Sequence, residues 1–148
     1  MMFLLDVNLL FALFWQPHEH HAAAQEWFGT QGKKGWCTCA TTELGFARVF
    51  TNPKINPGVV SPADALDLLE GNKRAYKHSF VSEDVTPAVA TRDLLIQGYR
   101  QWTDAYLLGL CIQKRLVFVS FDTGLHSLLR PGDPKLKSLK MLLSPPLH

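Results

Sequence analysis

The stretch that decides the fold is Met2-Phe3-Leu4-Leu5-Asp6-Val7-Asn8, followed by a second apolar run from Leu9 to Trp15. A short run of large apolar residues that stops at a charged one predicts a strand buried on both faces, which a parallel sheet provides. Asp6 then stands at the carboxyl end of that strand. A carboxylate there is costly to remove from water unless it is paired, hydrogen-bonded or bound to a cation. Asp6 is therefore expected to be one wall of a metal site, with the other walls supplied from elsewhere in the chain.

Working outward, Val7-Asn8 is expected to cap a helix from Leu9 to Trp15 that ends at Gln16-Pro17, and His18 to Phe28 reads as a second helix. Gly35 to Ala40 is a strand candidate, and Thr41-Thr42-Glu43 opens a helix that reaches Phe50 before Thr51-Asn52-Pro53 stops it. Ser61 and Pro62 form a helix start, with Ser61 as N-cap and Pro62 in the first position. Phe80-Val81 is a short strand, and Pro87 to Tyr99 is expected to hold a helix. Thr103-Asp104 begins a helix apolar on nearly every side, hence buried, and Leu116 to Phe121 is the clearest strand. Arg130 to Lys140 is a basic loop, and Met141 to Leu143 a candidate edge strand. Strands alternating with helices predict an α/β fold with a parallel sheet covered on both faces, where ligands bind beyond the carboxyl ends of the strands.

The 148 residues are expected to form one domain, residues 1–148, with roughly 70% of the unfolded-chain surface buried. A net charge of +2 is far from the bias of a non-specific nucleic-acid binder, so any polyanion contact must be local. Three cysteines, Cys37, Cys39 and Cys111, give no disulfide framework and favour a reducing compartment, with the cytoplasm as default. Met1 to Trp15 lacks a basic leader and a cleavage site and is shorter than a membrane span, so no membrane attachment is expected.

Four of the thirteen acids fall at equivalent places in this scheme. Asp6 and Asp122 follow strands, while Glu43 and Asp104 open helices, and in a doubly wound sheet those ends share one rim. Crowded carboxylates repel one another and some must protonate unless a cation joins them. Oxygen ligands without a His or Cys cage suit Mg²⁺ or Mn²⁺, which bind through a few carboxylates and a substrate phosphate. Such an ion holds a phosphodiester and activates water, so the chemistry expected is phosphodiester hydrolysis.

The chain resembles the PIN-domain proteins, specifically the VapC-type ribonuclease toxins of toxin-antitoxin systems. The resemblance rests on Leu5-Asp6-Val7-Asn8, on His18, His21, Ala24 and Trp27 at three-residue spacing, and on Thr42-Glu43-Leu44 leading to Arg48. Thr51-Asn52-Pro53, Thr103-Asp104-Ala105-Tyr106-Leu107 and Ser120-Phe121-Asp122 continue it in order over most of the chain. It implies a three-layer α/β/α sandwich, a Mg²⁺- or Mn²⁺-dependent endoribonuclease, homodimers, and inhibition by a VapB-like antitoxin whose tail covers the acidic site. By position Asp6 and Asp104 become the principal metal ligands and catalytic acids, Glu43 and Asp122 complete the pocket, and Asn8, Ser120 and Thr42 support them. The helix start at His18 and His21 borders the groove, which makes both RNA-contact candidates. Gly124-Leu125 departs from the pattern, since an aromatic often follows the fourth acid.

Other chemistries fit less well. His18 and His21 share a helix face but lack further zinc ligands, and Cys37 and Cys39 are read as pointing to opposite sides of their strand. Asp122-Thr123-Gly124 without a second carboxylate on a β-rich fold is not an aspartic protease. Asn8 stands where a phosphatase of the aspartyl type usually has a second Asp. A non-catalytic module that keeps the fold as an RNA or protein platform remains the alternative from another class. Because the acids repel a phosphate backbone, basic residues must supply RNA contacts, and Arg48, one turn beyond Glu43, is the first candidate.

Overall fold

The computed structural model describes residues 1–58 and 60–143. Five short strands, β1 (Phe3–Leu5), β2 (Trp36–Thr38), β3 (His78–Phe80), β4 (Val117–Ser120) and β5 (Leu139–Met141), form one sheet in the order β3-β2-β1-β4-β5. All four pairings are parallel, with Phe3 opposite both Trp36 and Val117, and Leu5 opposite Val119. From β1 the chain first builds outward through β2 and β3, then crosses back to place β4 on the other side of β1. The order reverses between β1 and β4, and in an open α/β sheet the ligand crevice lies at that switch point.

The helices are α1 (Val7–Phe14), α2 (His21–Thr30), α3 (Ala40–Phe50), α4 (Pro62–Ala75), α5 (Pro87–Ala90) and α6 (Trp102–Lys114). Side chains alternate along each strand, so the core divides in two. Leu5, Trp36, Val117 and Val119 meet α1 to α4 on one face, whereas Leu4, Cys37 and Phe118 meet α6 on the other. This is the expected three-layer α/β/α sandwich. No helix among the described residues is long and apolar enough to cross a membrane.

Several elements differ from the sequence reading. Helix α1 starts at Val7, and its N-cap is Asp6 rather than Asn8: the Asp6 carboxylate accepts from Val7 N at 2.8 Å. Helix α2 starts at His21, because His18 to His20 turn first. The segment expected to be helical from Pro87 to Tyr99 stops after Ala90, where the Thr91 hydroxyl donates to Pro87 O at 2.7 Å and competes with the helix backbone. Downstream, Leu95 N donates to Leu128 O at 2.9 Å, a tertiary bond that no local pattern reveals. The edge strand lies at Leu139–Met141, two residues before the expected place. Cys37 and Cys39 do not point apart: residues two apart in a strand share a face, and both thiols are buried in the cluster that contains α6. Burial pushes them up to about 12 and about 11, respectively, so they are inert thiols.

Two glycines set close approaches. A side chain at Gly45 would collide with Val7, so its absence lets α3 lie against the start of α1, beside Asp6. A side chain at Gly109 would overlap the backbone of Ala90, where α5 crosses α6. Gly109→Ala must push these helices apart, and urea denaturation should show a loss of about 1–3 kcal/mol.

Candidate active site

Asp6, Asp104 and Asp122 reach the switch crevice from three elements. Asp6 ends β1 and is 6% exposed. Its Oδ1 accepts from Val7 N, and its Oδ2 accepts from Ser120 Oγ at 2.7 Å. Ser120 ends β4, and its hydroxyl also accepts from Asp122 N at 3.0 Å and from Asn8 Nδ2 at 3.2 Å. Asn8 Oδ1 in turn accepts from Phe121 N at 3.2 Å. Asn8 and Ser120 therefore fix the Asp6 carboxylate and the path of the chain into Asp122. The Asp122 side chain caps the turn after β4, accepting from Gly124 N at 2.9 Å, and faces solvent. Asp104 lies half-buried in the first turn of α6.

Two adjoining clefts share Asp6 and Asp104. One, of about 450 Å³, is bordered also by Asn8, His18 and Asp122, and the other, of about 300 Å³, by Thr41, Arg48 and Thr103. Burial, and then the charges of Asp6 and Asp122, push Asp104 up to about 6. Burial also raises Asp6, against the hydrogen bonds from Ser120 and Val7 that favour its charge, and Asp122 adds to the rise. Three carboxylates thus feel one another across the crevice.

Among the described residues no group of three or more His, Cys, Asp or Glu side chains is preassembled to hold a metal ion. The donor set still fits a hard divalent cation. All three are oxygen donors, and the like-charge repulsion that raises Asp104 is what such a cation relieves. Mg²⁺ keeps several waters and needs few protein ligands, so a fully formed cage is not required. Asp6, Asp104 and Asp122 are the residues that would hold it.

Glu43 is not brought to this group. Its Oε2 accepts from Thr38 Oγ1 at 2.5 Å and from Lys73 Nζ at 2.9 Å, with both charged side chains about 15% exposed. Lys73 Nζ also reaches Glu70 at 2.7 Å, and His78 Nε2 lies 2.8 Å from the Thr38 hydroxyl, to which it must donate because that hydroxyl's proton goes to Glu43. Two features explain the correction. Glu43 follows β2, on the side of β1 away from the crevice, and Thr41, Gly45 and Arg48 hold the crevice-facing stripe of α3. A residue two positions from Thr41 and Gly45 is rotated by about 200° and points elsewhere. Thr42 is likewise structural: it is buried, accepts from Cys39 N at 3.0 Å and closes the capping box of α3.

Of the RNA-contact candidates, Arg48 is exposed on the wall of the smaller cleft and His18 lines the larger one. Burial and the neighbouring His20 lower the pKa of His18, whose Nδ1 accepts from His20 N at 2.9 Å, leaving Nε2–H as its free donor. His21 instead bonds Ala12 O through Nδ1 at 2.7 Å and ties α2 to α1. Thr41 and Thr103 border the acids but carried no sequence signal beyond their places at helix starts.

The PIN domain family model matches residues 3–129, from β1 through the turn after β4, and so includes all four acids. The chain belongs to the PIN-domain family, among the VapC-type proteins. It is 45% identical to Ribonuclease VapC38 of Mycobacterium tuberculosis, covering 90% of this chain and 95% of that one. It is 38% identical to Ribonuclease VapC44 of the same organism (89% and 94% covered) and 37% identical to its Ribonuclease VapC39 (82% and 89% covered).

Two outcomes follow from the geometry. Glu43→Gln removes the charge that faces Lys73 and should lower stability by about 1–3 kcal/mol while leaving Mn²⁺ affinity unchanged, as read by calorimetric titration. The second concerns pH. Asp104 binds its proton more tightly folded, with a pKa of about 6 against an ordinary 3.8, so between these values the folded state carries more protons. Stability without metal is then greatest below that window and falls as pH rises through about 6, and Asp6 acts in the same direction. Thermal melts in EDTA should show this fall, Asp104→Asn should flatten it, and added Mn²⁺ should reverse it.

Proposed function

We propose that this chain is a metal-dependent endoribonuclease that acts as the toxin of a VapBC-type toxin-antitoxin pair. The observation that carries this reading is the convergence of Asp6, Asp104 and Asp122 on one crevice at the sheet's switch point, with Asp104 pushed up to about 6. That the similar mycobacterial proteins are named ribonucleases supports it. On this reading residues 1–148 act as one PIN-like nuclease domain in the cytoplasm, as a homodimer whose acidic groove a VapB-like antitoxin blocks.

When bound, Mg²⁺ or Mn²⁺ supplies a cation that neutralises the phosphodiester oxygens and lowers the pKa of a water. The chain's own residues do the rest. Asp6, held from both sides by Val7 N and Ser120 Oγ, presents a fixed carboxylate. Asp104 and Asp122 face it from α6 and from the turn after β4, so the three carboxylates together present the negative charge that a divalent cation would neutralise. In the hydrolysis, the oxygen of water bonds to phosphorus, the P–O3′ bond breaks, and the proton lost by the water ends on the 3′ oxygen. Arg48, on the wall beside Asp6 and Asp104, offers the phosphate backbone a positive charge in a crevice that otherwise repels it.

Cleavage of an end-labelled RNA tests the proposal. Asp6→Asn keeps the helix cap, since Asn caps as well as Asp, and with Asp104→Asn it should slow cleavage on the order of 100-fold or more without changing the circular dichroism spectrum. EDTA should stop the parent, and Mg²⁺ or Mn²⁺ should restore it. Undiminished cleavage in both variants refutes the assignment, and RNA bound but never cut with any divalent metal returns the chain to a non-catalytic platform. Coexpression with a short neighbouring reading frame should relieve growth arrest if that frame encodes the antitoxin.

A further inference from the structure

The smaller cleft, of about 300 Å³, holds groups that neither the acids nor the folding of the helices explains. Thr41 and Arg48 of α3 and Thr103 of α6 border it together with Asp6 and Asp104. Thr41 and Thr103 are each the second residue of their helix, and neither is its N-cap. Helix α3 is capped through Cys39 and Thr42, while α6 follows Gln101 without a side-chain cap. Neither threonine hydroxyl has a hydrogen-bond partner among the described residues, and Thr103 is exposed and Thr41 half-buried. Two hydroxyls that the helices do not use therefore stand at the wall of the cleft that Asp6 and Asp104 share.

A hydroxyl both donates and accepts, so such a pair suits either an anion or a neutral hydroxyl compound. Charge decides between them. Thr41 N, the helix-end group that a phosphate would seek, already donates to Glu83 Oε1 at 2.9 Å. Arg48 is the one cation among the described residues that border this cleft, against Asp6 and Asp104. Even with a divalent cation on those two acids, Glu83 opposes a phosphate at Thr41. A neutral ring meets no such opposition: its hydroxyls pair with the threonines, and its carbon face lies on the apolar side chains of Val49 and Leu107, which also line the cleft. The neutral group nearest to a phosphodiester is the ribose that carries it, and the 2′-hydroxyl of that ribose, donor and acceptor at once, is what separates RNA from DNA. We infer that Thr41 and Thr103 hold the ribose beside the phosphodiester at the acids and read its 2′-hydroxyl, so that the smaller cleft selects RNA over DNA. This rests on the ribonuclease reading and gives it two specificity-determining residues.

A double-mutant cycle between the threonines and the sugar tests this. The full chain is given two labelled single-stranded oligonucleotides of one sequence, an RNA and its 2′-deoxy counterpart with deoxyuridine in place of uridine. Binding is read by fluorescence anisotropy in EDTA, and cleavage separately with Mn²⁺. The parent should prefer the RNA by roughly 10-fold or more, and Thr41→Val and Thr103→Val should each weaken RNA about 3- to 10-fold, the scale of one hydrogen bond, while leaving DNA unchanged. The double variant should treat both oligonucleotides alike. Thr41→Ser and Thr103→Ser, which keep the hydroxyl, should keep the preference, whereas Arg48→Gln should weaken RNA and DNA equally. Valine variants that lose RNA and DNA in equal measure overturn the inference, as does a parent that handles the two oligonucleotides alike in both binding and cleavage. A parent that cuts RNA while its double variant retains the full preference sinks the inference alone. A parent whose preference vanishes in the double variant, yet which cuts no RNA with Mg²⁺ or Mn²⁺, sinks the nuclease reading alone.

Discussion

Ser120 Oγ joins the carboxyl ends of two neighbouring parallel strands, and the rest of the site hangs on that hydroxyl. It donates to Asp6 at the end of β1 and accepts from the backbone of Asp122 just past β4. The register that sets Leu5 opposite Val119 brings these ends level, so one small side chain can span them. A Cβ-deep hydroxyl is the right size: a longer residue would fill the space that the carboxylates share, and an alanine would leave Asp6 with a single donor. Asn8 doubles the connection from the first turn of α1, bonding both the hydroxyl and Phe121 N. Two strands 114 positions apart in sequence are thereby locked at the one place where chemistry needs them aligned.

That alignment is costly, and the cost has a use. Bringing carboxylates together in partial burial raises Asp6 and Asp104 and works against folding at neutral pH. A site that binds a divalent cation and a phosphate has to be negative before they arrive. Strain of this kind is common where a fold is adapted to its ligand rather than to its own stability. The ion-pair network of Glu43, Lys73 and Glu70 shows the opposite arrangement. There each charge has a partner, Lys73 is held above its usual range because its two carboxylate partners outweigh burial, and the result fastens α3 to α4.

Much of this was legible in the chain before any coordinates, and the limits are physical. β1, β4 and α6 announce themselves because both faces of a central strand and most of a buried helix must be apolar. Asp6 stood out as a charge with no exposed surface to occupy. Ser61-Pro62 marked α4 through local chemistry, and the capping box between Ser61 and Asp64 is present. Glu43 was misplaced because equivalent topological position fixes which rim a residue lies on, not the azimuth at which its helix presents it. Gly45 and Arg48 carried that information in the periodicity of α3. The short strands β3 and β5 depend on pairing with distant partners, as the loop after α5 depends on Leu128 O, and such bonds leave no local trace.

A mutually repelling group of acids must also survive without its cation, and the helix ends make this possible. Asp6 is the N-cap of α1, Asp104 lies in the first turn of α6, and Asp122 caps the turn after β4. Backbone N–H groups at such ends carry partial positive charge, which favours a nearby carboxylate by about 0.3–1 kcal/mol each. Burial raises Asp6 against the bonds from Ser120 Oγ and Val7 N, while burial and the charges of Asp6 and Asp122 push Asp104 up to about 6. The acids are thus graded by their settings: Asp6 is fixed between Val7 N and Ser120 Oγ, Asp122 is exposed on its turn, and Asp104 is half-buried without a capping donor. A doubly wound sheet provides that grading without further machinery, because its strand ends and helix starts already share an edge.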